Sequence, residues 1–255
     1  MTGPPMAGER GFEDYLSRHL AHLGDPERYR ARRKRQLIAT YRRFLPESRD
    51  AELLEIGPGY GQWLEALRVD LGFTRAVAVD ISAEVVGFCD RILPGSTTQV
   101  TDTVGFLSER PERYDRVFAF HVLEHVPRGE LLPLLRAMWT ALKPGGRCVV
   151  EVPNMANPFV GAYLRYADLT HETGFAETSL RQALEAGGFD DVRCFEERLH
   201  LALPQDLLAV AFRGSMQWLM RMFYRGYQMP VPAVLTPALC ATARRPANVR
   251  GVAPA

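Results

Sequence analysis

The sequence predicts an α/β protein whose mostly parallel, doubly wound sheet has seven strands. Three observations carry this. Short apolar runs of strand character alternate with amphipathic segments of 10–15 residues, the pattern of βαβ units. The first of these runs ends in a glycine-rich turn (57–61) that opens a helix. No repeat with a period of 20–50 residues and no low-complexity tract is present, which excludes solenoids and propellers.

The elements follow in order. Residues 1–11 are rich in Gly and Pro and lack periodicity, as expected of a tail. Residues 12–49 form a helical cap: Phe12, Leu16, His19, Leu20 and Leu23 recur near a 3.6 period. Gly24-Asp25-Pro26 then breaks the pattern, and a second helix runs to Pro46. The core spans 50–203. AELLEIG (51–57), RAVAVDI (75–81), STTQVTD (96–102), YDRVFAFH (114–121), RCVVEVP (147–153) and VRCFEERL (192–199) read as strands. YGQWLEALRVD, AEVVGFCDRIL, GELLPLLRAMWTAL and ETSLRQALEAGG read as the helices between them, the last closed by Gly187-Gly188. Residues 204–229 are helical and rich in Met and aromatics, and 230–255 hold a last strand, PALCATARR, and a tail. The helical segment is then an insertion between two strands, above the strand ends where ligands bind in such folds. Its apolar residues run nearly all round between Leu207 and Phe212. That favours a lid or a homodimer face over a membrane-surface helix.

Composition removes several function classes. The chain of 255 residues carries 24% charged residues and a net charge of +1, so no global field points to nucleic acid. No run of 18 apolar residues exists, and the N-terminus lacks the apolar stretch of a secretory signal; a cytoplasmic protein, at most peripheral to a membrane, is expected. Cys89, Cys148, Cys194 and Cys240 stand dozens of residues apart with no CxxC, so neither a zinc knuckle nor a disulfide frame is expected. Residues 28–43 hold eight basic residues and no acid. They read as a solvated helix face near a substrate mouth, or as a contact for an anionic surface.

The first strand ends Glu55-Ile56-Gly57-Pro58-Gly59-Tyr60-Gly61. Glycines at i, i+2 and i+4 do not fit the dinucleotide fingerprint, and no GKS or GKT follows, so a phosphate loop is excluded too. What remains is a turn that lets the backbone approach a nucleoside ligand closely. Glu55 at that turn suits an amine-bearing ligand better than a phosphate. Asp80 ends the second strand, where a carboxylate can accept both ribose hydroxyls.

Glu-x-Gly-x-Gly-x-Gly with an acid ending the next strand resembles the class I S-adenosylmethionine-dependent methyltransferases. Tyr114–Val126 resembles their fourth-strand motif ending VLEHV, and Leu142-Lys143-Pro144-Gly145-Gly146 resembles the loop before their fifth strand. The resemblance covers roughly residues 50–200 and implies a Rossmann-like methyltransferase fold with S-adenosylmethionine as cofactor and S-adenosylhomocysteine as product. The cofactor-binding residues it implies are Glu55, Gly57, Pro58, Gly59, Tyr60, Gly61, Asp80, Ile81, Asp102, Phe120 and His121, with Asp102 near the adenine. Tyr60, Phe120 or Trp63 could wall the sulfonium by cation–π contact, though Trp63 also suits the core.

A hydroxyl acceptor needs a general base, most often His. His171, in the polar loop before the 177–188 helix, is the leading candidate; this loop resembles the THxxxF segment of ubiquinone-biosynthesis-type O-methyltransferases. His121 is second, and His125, four residues on, shares its helical face. A divalent ion on His121, Glu124, His125, Asp168 and Glu172 is an unfavoured alternative, and no metal site is assigned. The stretch from Asp168 to Phe189 and the closing VLTPALCATARR resemble methyltransferases of bacterial glycan clusters, which implies a saccharide hydroxyl as acceptor. A phenol or amine of a natural product is the runner-up. An RNA-associated or catalytically silent cofactor-binding module is the further alternative. A base-flipping DNA enzyme is unlike this chain, which has Phe120-His121-Val122-Leu123 where such enzymes carry a D/N-P-P-Y/F motif.

Overall fold

The structure, a computed structural model, describes residues 26–199 and 206–247. The expected tail 1–11, the helix expected after it, and the C-terminal tail beyond 247 lie outside the described residues, as do His19, His22 and His200.

Seven strands form one sheet: β1 (Leu53–Ile56), β2 (Ala76–Asp80), β3 (Thr97–Gln99), β4 (Tyr114–Phe120), β5 (Leu142–Pro153), β6 (Asp190–Glu196) and β7 (Ala238–Arg244). Their order is β3-β2-β1-β4-β5-β7-β6. The first five strands pair in parallel, and β7 slots antiparallel between β5 and β6. All four residues of β1 are buried, as a central strand covered on both faces requires. Chain order reverses at β1, with β2 on one side and β4 on the other, so a crevice opens outside the carboxyl ends of these strands.

The helices are α1 (Pro26–Tyr41), α2 (Gln62–Glu65, continued by a π turn, Ala66–Asp70), α3 (Ala83–Ile92), α4 (Thr103–Ser108), α5 (Arg128–Ala141), α6 (Gly161–Tyr166), α7 (Glu177–Ala186) and α8 (Asp206–Gly226). One apolar layer joins Leu107, Leu134, Met138 and Leu180 to one face of the sheet. The other joins Leu37 and Tyr41 of α1 to Trp63, Phe118 and Val149. Helices thus cover both faces, as expected.

The sequence reading missed α4 and α6, each only six residues long and too short for a helical period to show. It also began β5 five residues late, because Lys143-Pro144-Gly145-Gly146 reads as a turn although it continues the strand. The basic tract is not a solvated face throughout. Arg30 donates to the Tyr60 carbonyl at 2.9 Å and also pairs with Glu65; Lys34 pairs with Glu65 and Asp70, both at 3.0 Å. These cations dock the helix beside the glycine turn. All four cysteines are free thiols, and Cys89, Cys148 and Cys240 are buried.

α8 lies against the body through few groups. The Tyr224 hydroxyl donates to the Ala156 carbonyl at 2.5 Å, and Arg213 pairs with Glu196 at 2.8 Å. Leu207, Phe212, Trp218 and Tyr227 are exposed. No helix among the described residues is long and apolar enough to cross a membrane.

Asn154 fixes the segment that leads into β7. Its buried amide donates to the carbonyls of Val234 (3.0 Å) and Thr236 (2.9 Å). Asn154→Ala leaves two buried carbonyls without donors, so a loss of about 2–3 kcal/mol is expected. Urea denaturation checks it; an unchanged midpoint would contradict this role.

Candidate functional site

Gly57, Gly59 and Gly61 all adopt left-handed backbone, with φ of 68°, 53° and 67°. Gly57 also has no room for a side chain: a Cβ there would meet Val122 Cγ2 at 2.7 Å. A Cβ on Gly59, by contrast, meets nothing within 4 Å, so the turn leaves open space beside its backbone. This is a cradle in which backbone can approach a ligand.

Two carboxylates flank the cradle. Glu55 in β1 is 3% exposed, and its Oε2 is buried without a hydrogen-bond partner. Burial pushes its pKa up to about 8, against the Leu64 amide that donates to it, and the nearby Asp80 charge adds to the rise. Asp80 ends β2, and its Oδ1 accepts from the Ser82 amide at 2.8 Å. Burial raises Asp80 to about 6 although the Ser82 and Ile81 amides oppose this. Such carboxyls lack partners that a ligand with an amine and hydroxyls would supply. Ile81 is exposed beside Asp80, and Asp102, also exposed, caps α4 beyond the end of β3, on the same carboxyl edge of the sheet. Tyr60 is half-buried against Phe88, at 5.2 Å between ring centroids. Phe120 stacks on Tyr41 at 4.5 Å, while Trp63 is fully buried and belongs to the core.

A third carboxylate, on β5, gathers a cluster of its own. Glu151 of β5 is 1% exposed and binds Arg33 at 2.5 Å, His121 Nε2 at 2.9 Å and the Tyr41 hydroxyl. Burial would raise its pKa, but the Arg33 charge and the His121 and Tyr41 hydrogen bonds hold it well below the usual carboxylate range. His121 Nδ1 meets Glu124 Oε1 at 2.9 Å. Burial lowers the His121 pKa, but hydrogen bonds to Glu124 and Glu151, with their charges, outweigh this and hold it at about 10. Its side chain keeps 42% exposure, so one face of the imidazolium still looks outward. His121 does not share a helical face with His125. It sits at φ 55° ahead of a 3₁₀ turn, Leu123–His125.

His121 and Glu151 line a cavity of about 290 Å³ whose other polar lining includes Tyr29, Arg32, Gln36 and Glu197. Glu197 Oε2 accepts from Gln36 Nε2 at 2.5 Å. Burial raises the Glu197 pKa and the Glu151 charge adds to this, against Arg33, Arg213 and His121. His125 and His171 do not line this cavity. Their rings meet each other edge to face at 4.7 Å, with His125 Nδ1 on Thr170 Oγ1 and His171 Nδ1 on the Leu164 carbonyl, both at 2.8 Å. Burial lowers the His125 pKa. The metal alternative named His121, Glu124, His125, Asp168 and Glu172. Among the described residues, the group whose ligand atoms converge is instead Glu124, His125 and His171.

Sequence reasoning missed Glu151, Glu197, Arg33 and Tyr41. Glu151 alone gave a signal: an acid inside the otherwise apolar run Cys148–Pro153.

A family model described as "Methyltransferase domain" matches residues 29–193. No curated protein sequence matches the chain significantly. Solved structures share the fold. A SAM-dependent methyltransferase from Archaeoglobus fulgidus is 23% identical, with 90% of this chain and 99% of that one covered and a TM-score of 0.65. Phosphoethanolamine N-methyltransferase 2 of Haemonchus contortus, in complex with S-adenosyl-L-methionine, is 17% identical, with 96% of this chain and 61% of that one covered and a TM-score of 0.62. A possible histamine N-methyltransferase from Thermotoga maritima is 12% identical, with 92% and 99% covered and a TM-score of 0.62.

The raised Glu55 pKa has a consequence for stability. Burial favours the protonated carboxyl in the folded chain, so stability is full below the ordinary pKa of 4.5 and declines as pH rises towards about 8. Glu55→Gln mimics the neutral form. The variant should match wild type near pH 4.5 and be more stable by about 2–4 kcal/mol at pH 8. Thermal melts across that range check it, and equal stability at pH 8 would contradict the buried, partnerless carboxyl.

Proposed function

The chain belongs to the methyltransferase-domain family, and from that premise we propose that it is an S-adenosylmethionine-dependent O-methyltransferase acting on a hydroxyl of a saccharide or glycoconjugate. Bound at the glycine cradle, S-adenosylmethionine supplies an electrophilic methyl group. Glu55 and Asp80 fit that cofactor: one buried carboxyl lacks a partner for an amine, and the other stands where ribose hydroxyls would donate. The turn 57–61 gives the close backbone approach, and Tyr60 closes its rim.

The observation that carries the acceptor reading is the cavity beside His121. At about 290 Å³ it is near the lower end of small-molecule sites, usually ~300–1,000 Å³, and seven of its eleven lining residues are polar or charged. Its wall exposes more apolar than polar surface, with Tyr29, Arg32, Gln36, Glu151 and Glu197 setting polar groups around it, a combination that suits the apolar face and the hydroxyls of a sugar ring. Two carboxylates at the wall, Glu151 and Glu197, are the feature that favours the second reading, an amine acceptor.

A hydroxyl must lose its proton as it takes the methyl. His121 donates through both ring nitrogens to carboxylates, so it orients the acceptor and takes no proton. His171 and His125 stand outside the cavity and act through the loop they anchor. Glu197 is the base: it lines the cavity, Gln36 holds one of its oxygens, and burial makes it more basic than an ordinary carboxylate.

Label from methyl-labelled S-adenosylmethionine should appear in sugars or nucleotide sugars rather than in phenols, amines or RNA. Glu197→Gln should cut kcat by about 100-fold or more with cofactor affinity unchanged. In wild type, kcat should fall as the pH drops through the raised Glu197 pKa, and the variant should lose that limb. Label found only in amines would replace the saccharide reading, and wild-type turnover in Glu197→Gln would remove the base.

A further inference from the structure

Three groups that do not line the acceptor cavity meet where the turn after β4 touches the loop 167–175. Glu124 is 1% exposed; its Oε1 is taken by His121, and its Oε2 is buried without a partner. The Glu172 and Thr173 amides donate to the Glu124 carbonyl at 2.7 and 3.0 Å, fastening the loop to the turn. One nitrogen of His125, one of His171 and a carboxylate oxygen of Glu124 lie within 4.8 Å of one another.

The hydrogen bonds fix both tautomers. Thr170 Oγ1 gives its only proton to Asp168 Oδ1 at 2.7 Å, so it can only accept from His125 Nδ1–H. The Leu164 carbonyl can only accept, so His171 Nδ1 also carries its proton. Each ring then has its lone pair on Nε2. This is how metal-ligating imidazoles are held, with the far N–H pinned by a carbonyl or by a hydroxyl backed by a carboxylate.

We propose that Glu124, His125 and His171 form a binding site for one divalent transition ion of the zinc or cobalt class. Two imidazoles and one carboxylate favour such borderline ions over magnesium or calcium, which prefer oxygen ligands throughout. Ligand atoms on a four-coordinate ion with bonds near ~2.1 Å stand ~3.4 Å apart, so side-chain shifts of about 1 Å close the site. Asp168, whose Oδ2 lies 3.8 Å from His171 Nε2, adds negative charge beside it. The ion would cross-link the turn and the loop. Because Glu124 also binds His121, it would stiffen the cavity wall as well.

Co²⁺ is the probe. Chelator-stripped protein reloaded with Co²⁺ should keep one equivalent through gel filtration, show visible ligand-field bands and melt several degrees higher. His171→Asn, whose amide can still donate to the Leu164 carbonyl, should lose the bound ion and the bands. Glu124→Gln, which still offers His121 an acceptor, should weaken retention at least 10-fold. No retention by the wild type, or equal retention by folded His171→Asn and Glu124→Gln, overturns the site. The readout uses neither cofactor nor acceptor, so it stands or falls independently of the acceptor and base assignments.

Discussion

The architecture of the site depends on one buried anion. Glu151 lies in the middle of the sheet, next to two apolar layers, and stays ionised because Arg33, Tyr41 and His121 all converge on it. Removing one partner of a buried charge pair typically costs about 3–5 kcal/mol, since the remaining charge is stranded. The interaction therefore works as a constraint more than as a source of net stability. It fixes α1 on one face of the sheet, and it fixes a cationic imidazole at the end of β4. The cavity wall is the meeting of those two.

The glycine cradle uses the contrary device. No cation among the described residues pairs with Glu55, and Asp80 is largely desolvated, so burial holds both carboxyls at raised pKa. Stability is given up there for a cradle that a ligand completes, a trade common at functional sites. Two carboxylates a few strands apart thus serve different ends. Their neighbours decide which: Arg33, Tyr41 and His121 surround Glu151, whereas the Leu64 amide reaches Glu55 and its Oε2 has no hydrogen-bond partner among the described residues.

Much of this was legible in the sequence, and the boundary has physical reasons. Strands of a buried parallel sheet announce themselves as apolar runs, and left-handed turns announce themselves as glycines, so β1, β2, β4 and the turn 57–61 could be read directly. The family relation followed from the Glu55–Gly61 and Tyr114–Val126 segments. The acceptor wall could not be read that way. Glu151, Glu197, Arg33 and Tyr41 come from three distant segments, and their meeting depends on how α1 docks, which no local period encodes. His121 was misjudged for a related reason: its i,i+4 spacing to His125 implied a helix, whereas a left-handed residue turns its ring towards β5 instead. His171 was legible as a special residue, but its partners Leu164 and His125 place it behind the wall.

The claim that Glu151 holds α1 in place is tested most directly by hydrogen exchange on Glu151→Gln. Residues 26–41 should lose protection by about 10-fold or more, as local opening becomes easier, while β1 and β4 exchange as in wild type. Unchanged protection across α1 in the variant would contradict the account, because the helix would then be docked by its apolar face, its Glu65 and Asp70 pairs, and the contacts of Arg30 and Gln36, without need of Glu151.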